Sequence, residues 1–137
     1  MGLMRRSLLT AVLAAARVGA QAQTPLGPVL VGKTMQPATV DLAQLKGKVV
    51  LLFFWSTDCS VCLDKLPELR RNLEGWRGKD FMIVAVSQDR SMADLKAYEQ
   101  VLDKVAPPNA QMKIVWRRDT AHRDNFGELP VKSPTTI

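Results

Sequence analysis

Two cysteines, in the run Cys59-Ser60-Val61-Cys62, are the residues best equipped for chemistry in this chain of 137 residues. They sit where an unbroken apolar run, Val49 to Trp55, gives way through Ser56-Thr57-Asp58 to a pattern with helical spacing. That junction places Cys59 at or beside the start of a helix and Cys62 in its first turn. Backbone N–H groups without helical partners, together with the helix dipole, stabilise an anion there, so one thiol is acidified toward its thiolate. The second sulfur then lies within reach to resolve a mixed disulfide. A dithiol placed this way is built to exchange disulfides.

Other readings of the pair stand beside that one. A purely structural disulfide closes a four-residue loop worth roughly 2 kcal/mol in the chain-entropy model, a small gain for a domain with no other cysteine. A zinc site needs two further ligands, and His122 is the only histidine. Two unpaired buried thiols fit an oxidising compartment less well still. Met35, Met82, Met92 and Met112 are dispersed and form no copper-binding cluster. Trp76, Tyr98 and Trp116 read as core or rim packing, and His122 as a surface residue on a short helix.

The elements around the cysteines follow from apolar spacing. The seven apolar residues from Val49 to Trp55 suit a central strand buried on both faces, as in a parallel sheet covered by helices. The helix from Cys59 carries Val61, Leu66, Leu69 and Leu73 roughly along one side, with Pro67 inside it as a kink. Phe81 to Val86 is a second buried strand. Ser91, with Asp94 three residues on, starts a helix that buries Leu95, Tyr98, Leu102 and Val105, and Pro107-Pro108 stops it. Met112 to Trp116 is a third strand, Thr120 to Phe126 a short helix ending at Gly127, and Thr39 to Leu45 a short strand and turn. Strands alternating with helices give an α/β class.

The N-terminus reads as an export segment. Arg5 and Arg6 form a basic region, Ser7 to Ala16 a short apolar run, and Ala20 and Ala22 frame an A-x-A cleavage site. The run is too short to span a bilayer of ~30 Å. The expected organisation is a signal peptide over 1–22, an irregular lead-in over 23–38 and one domain over 39–137. Removing 1–22 takes away Arg5, Arg6 and Arg17 and no acidic residue, so the formal charge falls from +6 to +3 (16 basic, 13 acidic). The remaining basic residues are scattered, without the clustered Lys/Arg and stacking aromatics of a nucleic-acid groove. An apolar share of 47% with 23% charged residues excludes a disordered chain.

The stretch Phe54-Trp55-Ser56-Thr57-Asp58-Cys59-Ser60-Val61-Cys62, with Pro67 five residues on, resembles the exported TlpA/ResA-like thiol–disulfide oxidoreductases of the thioredoxin-like superfamily. Asp41-Leu42 to Lys48, the AVSQD run at 85–89, and Val131-Lys132-Ser133-Pro134-Thr135-Thr136, similar to the family's cis-proline loop, extend the likeness over about residues 30–137. The resemblance implies a thioredoxin-like fold, a central mixed sheet flanked by helices. It makes Cys59 the exposed nucleophile, Cys62 the buried resolving thiol and Pro134 the proline facing the pair. Ser133, Pro134 and Trp55 are the implied substrate contacts, and Asp58 and Lys65 modulate the thiols. No metal and no cofactor beyond the redox-active disulfide are implied.

Several positions depart from the family's pattern. Asp58 stands where an uncharged residue is usual, and a carboxylate there opposes the thiolate. Phe53 occupies the place of thioredoxin's buried Asp, and Lys65 that of a frequent Glu. Ser60-Val61 is neither Gly-Pro nor the Pro-His of strong oxidants. Ile137 comes three residues after Pro134, where the family continues into the rest of a strand, an edge strand and a covering helix. That final strand and helix are missing from this sequence, so the chain alone is expected to leave an apolar sheet face bare and to be poorly stable.

The expected function is an exported, periplasmic thiol–disulfide oxidoreductase acting as a reductase. Its partners are protein thiol or disulfide substrates, such as apocytochrome c thiols or copper-site cysteines, and a membrane electron donor that recycles the pair. A Cu(I)-binding module built on the CxxC, and an inactive truncated remnant, are the alternatives.

Overall fold

The computed structural model describes residues 27–128 and 134–137; residues 1–26, with the expected signal peptide, and Ser133 with the four residues before it lie outside the described residues. The elements in chain order are β1 (Leu30–Lys33), β2 (Thr39–Asp41), β3 (Val49–Trp55), α1 (Ser60–Asn72), β4 (Phe81–Ser87), α2 (Met92–Val105), β5 (Met112–Trp116), β6 (Arg123–Asp124) and β7 (Thr135–Thr136), with single 3-10 turns at Leu42–Leu45 and Leu73–Trp76.

The main sheet has the order β5-β4-β3-β7. β3 and β5 both run parallel to β4, with Phe53 opposite Ala85 and Ala85 opposite Ile114. β7 closes the other side antiparallel to β3, with Thr136 opposite Phe53 and Thr135 opposite Phe54. A second, antiparallel sheet has the order β2-β1-β6. It is tied to the edge of β5 where Thr34 bridges Val115 and the Met35 amide donates to the Ile114 carbonyl at 3.0 Å.

Side chains alternate across a strand, and that alternation sorts the core into two layers. Phe53, Trp55, Ile83, Ala85, Met112 and Ile114 face α1 and α2, meeting Cys62, Leu66, Leu95 and Leu102. Leu52, Phe54, Val84, Val86 and Val115 face the other way, onto Leu30, Val40 and Phe126. Both long helices therefore cover one face, and the small sheet covers the other. Each fully buried leucine contributes about 1.5–3 kcal/mol of apolar transfer, and Leu66, Leu95 and Leu102 are all at 0% exposure.

Local signals set the helix ends. Ser91 caps α2, accepting from the Ala93 and Asp94 amides. At the other end of α2, Arg70 and Arg71 from the last turn of α1 donate to the Ala106 and Val105 carbonyls; Arg70 also pairs with Asp103 at 2.5 Å. Cations at a helix C-terminus answer its unpaired carbonyls and its dipole.

Two sequence expectations are corrected. Residues 30–33, read as irregular lead-in, form β1 and pair with strands on both sides. Thr120 to Phe126, read as a short helix, is a turn followed by β6: Asp119 accepts from the Ala121 amide, and Arg123–Asp124 then pair with Val31 and Leu30. His122 is accordingly no surface residue. Its side chain is 3% exposed and bonds Asp124 at 2.8 Å.

Candidate active site

β3 delivers the chain to the site. Its last residue, Trp55, is followed by the loop Ser56–Asp58, and Cys59 is the N-cap of α1, with extended backbone at φ −96° and ψ 98°. The Cys59 amide donates to the Ser56 carbonyl at 3.2 Å, and the Cys59 carbonyl accepts from Leu63 at 3.1 Å. An N-cap side chain normally supplies an oxygen to a free amide of the first turn. Here sulfur takes that place, the Cys62 amide donating to Cys59 Sγ at 3.2 Å.

Cys59 and Cys62 are joined as a disulfide, with Cα atoms 5.2 Å apart. The pair is asymmetric. Cys62 is at 0% exposure within the helix-side core, whereas Cys59 is partly exposed and flanked by exposed Ser60 and Val61. On reduction, the amide already aimed at Cys59 Sγ is a ready donor to a thiolate. The arrangement thus presents one sulfur for attack and keeps the second beneath it for resolution.

The other sequence-derived site residues fall at different depths. Trp55 is fully buried, its ring 5.4 Å from that of Tyr98. It supports the disulfide from within and has no surface for a substrate, which corrects its reading as a substrate contact. Asp58 is exposed and its carboxylate accepts from the Ser56 hydroxyl. Lys65 is exposed and donates to Glu68 at 2.7 Å; that bond holds its ammonium pKa above the ordinary value. Pro134 is exposed. It immediately precedes β7, whose Thr135 lies opposite Phe54, one residue before the end of β3. Phe53 is buried in the same cluster as Cys62, so this strand position carries an apolar side chain under the pair.

Two residues at the site, Thr57 and Asp89, lie in stretches that carry the family resemblance but are given no role of their own by sequence. Asp89, just beyond β4, is 6% exposed. Its carboxylate accepts from the Thr57 amide at 2.8 Å and the Thr57 hydroxyl at 2.6 Å. The sequence signal is the AVSQD run, a polar Ser-Gln-Asp closing an apolar stretch, and nothing local connects it to a threonine 32 residues earlier. Among the described residues no group of three or more His, Cys, Asp or Glu is gathered so as to hold a metal ion.

Comparison with known proteins bears on this arrangement. A family model described as AhpC/TSA family matches residues 22–125, most of the chain and both cysteines. The chain belongs to the AhpC/TSA family. Among curated proteins, this family member is similar to the thiol-disulfide oxidoreductase ResA of Oceanobacillus iheyensis, 36% identical over 59 residues, covering 43% of this chain and 31% of ResA. Among solved structures it is similar to the thioredoxin domain of a thiol-disulfide oxidoreductase from Bacteroides vulgatus, with a TM-score of 0.53 and 29% identity over 63% of this chain and 57% of that one. A thiol:disulfide interchange protein of the thioredoxin family from Chlorobium tepidum gives a TM-score of 0.55 at 21% identity, covering 71% and 63%. The fold is thioredoxin-like. The chain spans under a third of ResA's length and about 60% of these two structures.

Proposed function

We propose that this AhpC/TSA family member is an exported thiol–disulfide oxidoreductase that reduces disulfides in protein substrates. The observation that carries the reading is the asymmetric pair itself, a partly exposed Cys59 capping a helix over a buried Cys62. In the reduced chain the Cys59 thiolate attacks one sulfur of a substrate disulfide. That S–S bond breaks, a Cys59–substrate disulfide forms, and the departing substrate sulfur takes up a proton. Cys62, deprotonated, then attacks Cys59 Sγ and releases the second substrate thiol. The substrate gains two electrons and two protons, and the Cys59–Cys62 disulfide is left. A dithiol on a membrane partner returns the pair to the reduced state, so the disulfide is the only redox group the cycle uses.

The named oxidoreductases to which the chain is similar support the chemistry, and the basic-then-apolar segment ending near Ala22 supports export to the periplasm. The reducing direction rests on Ser60-Val61, which lacks the Pro-His of strong oxidants. Ser133 and Pro134 are the proposed substrate-binding segment, and Asp58 and Lys65 the charges that tune the thiols. The test is reduction of insulin by the dithiothreitol-recycled chain. Cys59→Ser abolishes turnover, and Cys62→Ser accumulates mixed disulfides visible on non-reducing gels. Full turnover by the Cys59→Ser chain overturns the mechanism.

A further inference from the structure

We propose that Asp89 is the positioning residue of this site: its buried carboxylate holds the Ser56–Asp58 loop, and through it keeps Cys59 seated as the cap of α1. The inference rests on the exchange reaction proposed above for its purpose, while the clamp itself is a matter of geometry.

The acceptor is immobile. The Asp89 amide donates to Ser87 Oγ at 3.2 Å and the Ser87 hydroxyl returns a bond to Asp89 Oδ2 at 2.6 Å. The Trp116 indole donates to the Asp89 carbonyl at 2.8 Å. On either side the Gln88 amide donates to the Trp55 carbonyl at 2.8 Å and the Arg117 amide to the Ser87 carbonyl at 2.9 Å. Asp89 is thus fastened to β3, β4 and the end of β5 together. Asp89 Oδ1 then takes both donors of Thr57, its amide and its hydroxyl.

Among the described residues the loop's other bonds are within itself and to the cap: Ser56 hydroxyl to Asp58, and Cys59 amide to the Ser56 carbonyl. Thr57, two residues ahead of Cys59, ties this turn to the segment just beyond β4. The donor geometry at Cys59 Sγ depends on where the chain enters α1. A loop released from Asp89 lets Cys59 leave the helix N-terminus, and its thiol returns toward ordinary acidity.

The test uses the reduced full chain and follows Cys59 alkylation by iodoacetamide against pH. It also follows the Cys59/Cys62 equilibrium with glutathione. Thr57→Val and Asp89→Ala each slow Cys59 alkylation at neutral pH by on the order of tenfold and raise the pH at which it reaches half its maximum. Asp89→Asn, which keeps an acceptor oxygen for Thr57, recovers most of the loss. The Thr57→Val/Asp89→Ala chain is no slower than the worse single variant, because both remove one interaction. Thr57→Val carries the test alone if Asp89→Ala fails to fold.

The clamp is overturned if Thr57→Val matches the parent chain in rate and pH midpoint, or if the two single losses add in full. It is equally overturned if Asp89→Asn is as slow as Asp89→Ala, which assigns the effect to charge. None of these readouts needs turnover. A clamp signature in a chain that reduces no protein disulfide defeats the proposed function alone, and turnover with an unaltered Thr57→Val chain defeats the clamp alone.

Discussion

The Tyr98 hydroxyl donates to the Leu63 carbonyl at 3.0 Å, and Leu63 is the residue whose helical partner, four positions on, is Pro67. Proline has no N–H, so α1 runs through Pro67 with one carbonyl unanswered from within the helix. Tyr98 reaches across from α2 and supplies the donor. The same ring packs on Trp55 beneath the disulfide, so this bond joins both helices to the floor of the site.

Tyr98→Phe keeps the ring and removes the donor, and is expected to cost about 1 kcal/mol in urea denaturation. In a Pro67→Ala background the restored amide can answer Leu63, and the cost of Tyr98→Phe shrinks. An equal cost in both backgrounds would show that the hydroxyl does not serve the proline's vacancy. Burial also raises the Tyr98 phenol pKa above 10.0. The contribution is therefore intact below that value and is lost as alkaline pH climbs through the folded pKa.

Asp124 sets an acid limit on stability. Burial alone would raise its carboxyl, but bonds from Arg117, from His122 and from the Phe126 amide outweigh it and hold the pKa below 3.8. Arg117 meets it with two nitrogens, at 2.6 and 2.7 Å. A depressed folded pKa means stability that is complete above the unfolded pKa and drains as pH falls through the folded one. Asp124→Asn leaves Arg117 buried without its counter-charge and is expected to cost about 3–5 kcal/mol at neutral pH. Its residual stability should be flatter than the parent's on acidification below the unfolded carboxyl pKa. A parallel decline of the two chains would assign the acid sensitivity elsewhere.

Gly32 carries the small sheet past His122. A Cβ built on it lies 2.7 Å from His122 Nδ1 and 3.4 Å from Val115 Cβ, and both neighbours are buried. Gly32→Ala is expected to destabilise by about 1–3 kcal/mol through overpacking. Gly27→Ala, where nothing lies within 4 Å, is the matched control and should stay within about 0.5 kcal/mol of the parent chain. Thermal unfolding of the two variants side by side decides it.

The parts of this fold legible from sequence are those specified by neighbours along the chain. The apolar runs at 49–55, 81–86 and 112–116 mark three strands, and Ser91 and the Cys59 junction mark helix starts, because strand burial and caps are local properties. β1 and β6 escape that reading. Four residues interrupted by Gly32, and the polar pair Arg123–Asp124, have no periodic signal; β1 becomes a strand by pairing with β2 and β6, and β6 by pairing with β1 across more than ninety residues. His122 looks exposed among polar neighbours, yet an extended chain sets positions i and i+2 on one face and brings it to Asp124. Of the site, the cysteines, their helix start and the apolar Phe53 beneath them are readable. Trp55 is misread because an aromatic next to a motif carries no mark of which way it faces, and the Thr57–Asp89 tie joins residues whose strands first have to meet.

The burial difference between the two sulfurs predicts a difference in chemistry that needs no substrate. In the reduced chain under native conditions, Cys59 should take up iodoacetamide first, and Cys62 only through local opening of α1 from the sheet. A rate gap on the order of a hundredfold corresponds to an opening free energy of about 2.7 kcal/mol. That is the scale expected for freeing a side chain at 0% exposure among Trp55, Leu66 and Phe53. Mass-spectrometric mapping of the alkylated peptides over time measures the gap, and mild urea should narrow it by easing the opening. Equal rates in native buffer would put both sulfurs at the surface. With the order of attack and resolution no longer imposed by the fold, Cys62→Ser would then have no reason to trap a substrate that Cys59→Ser cannot.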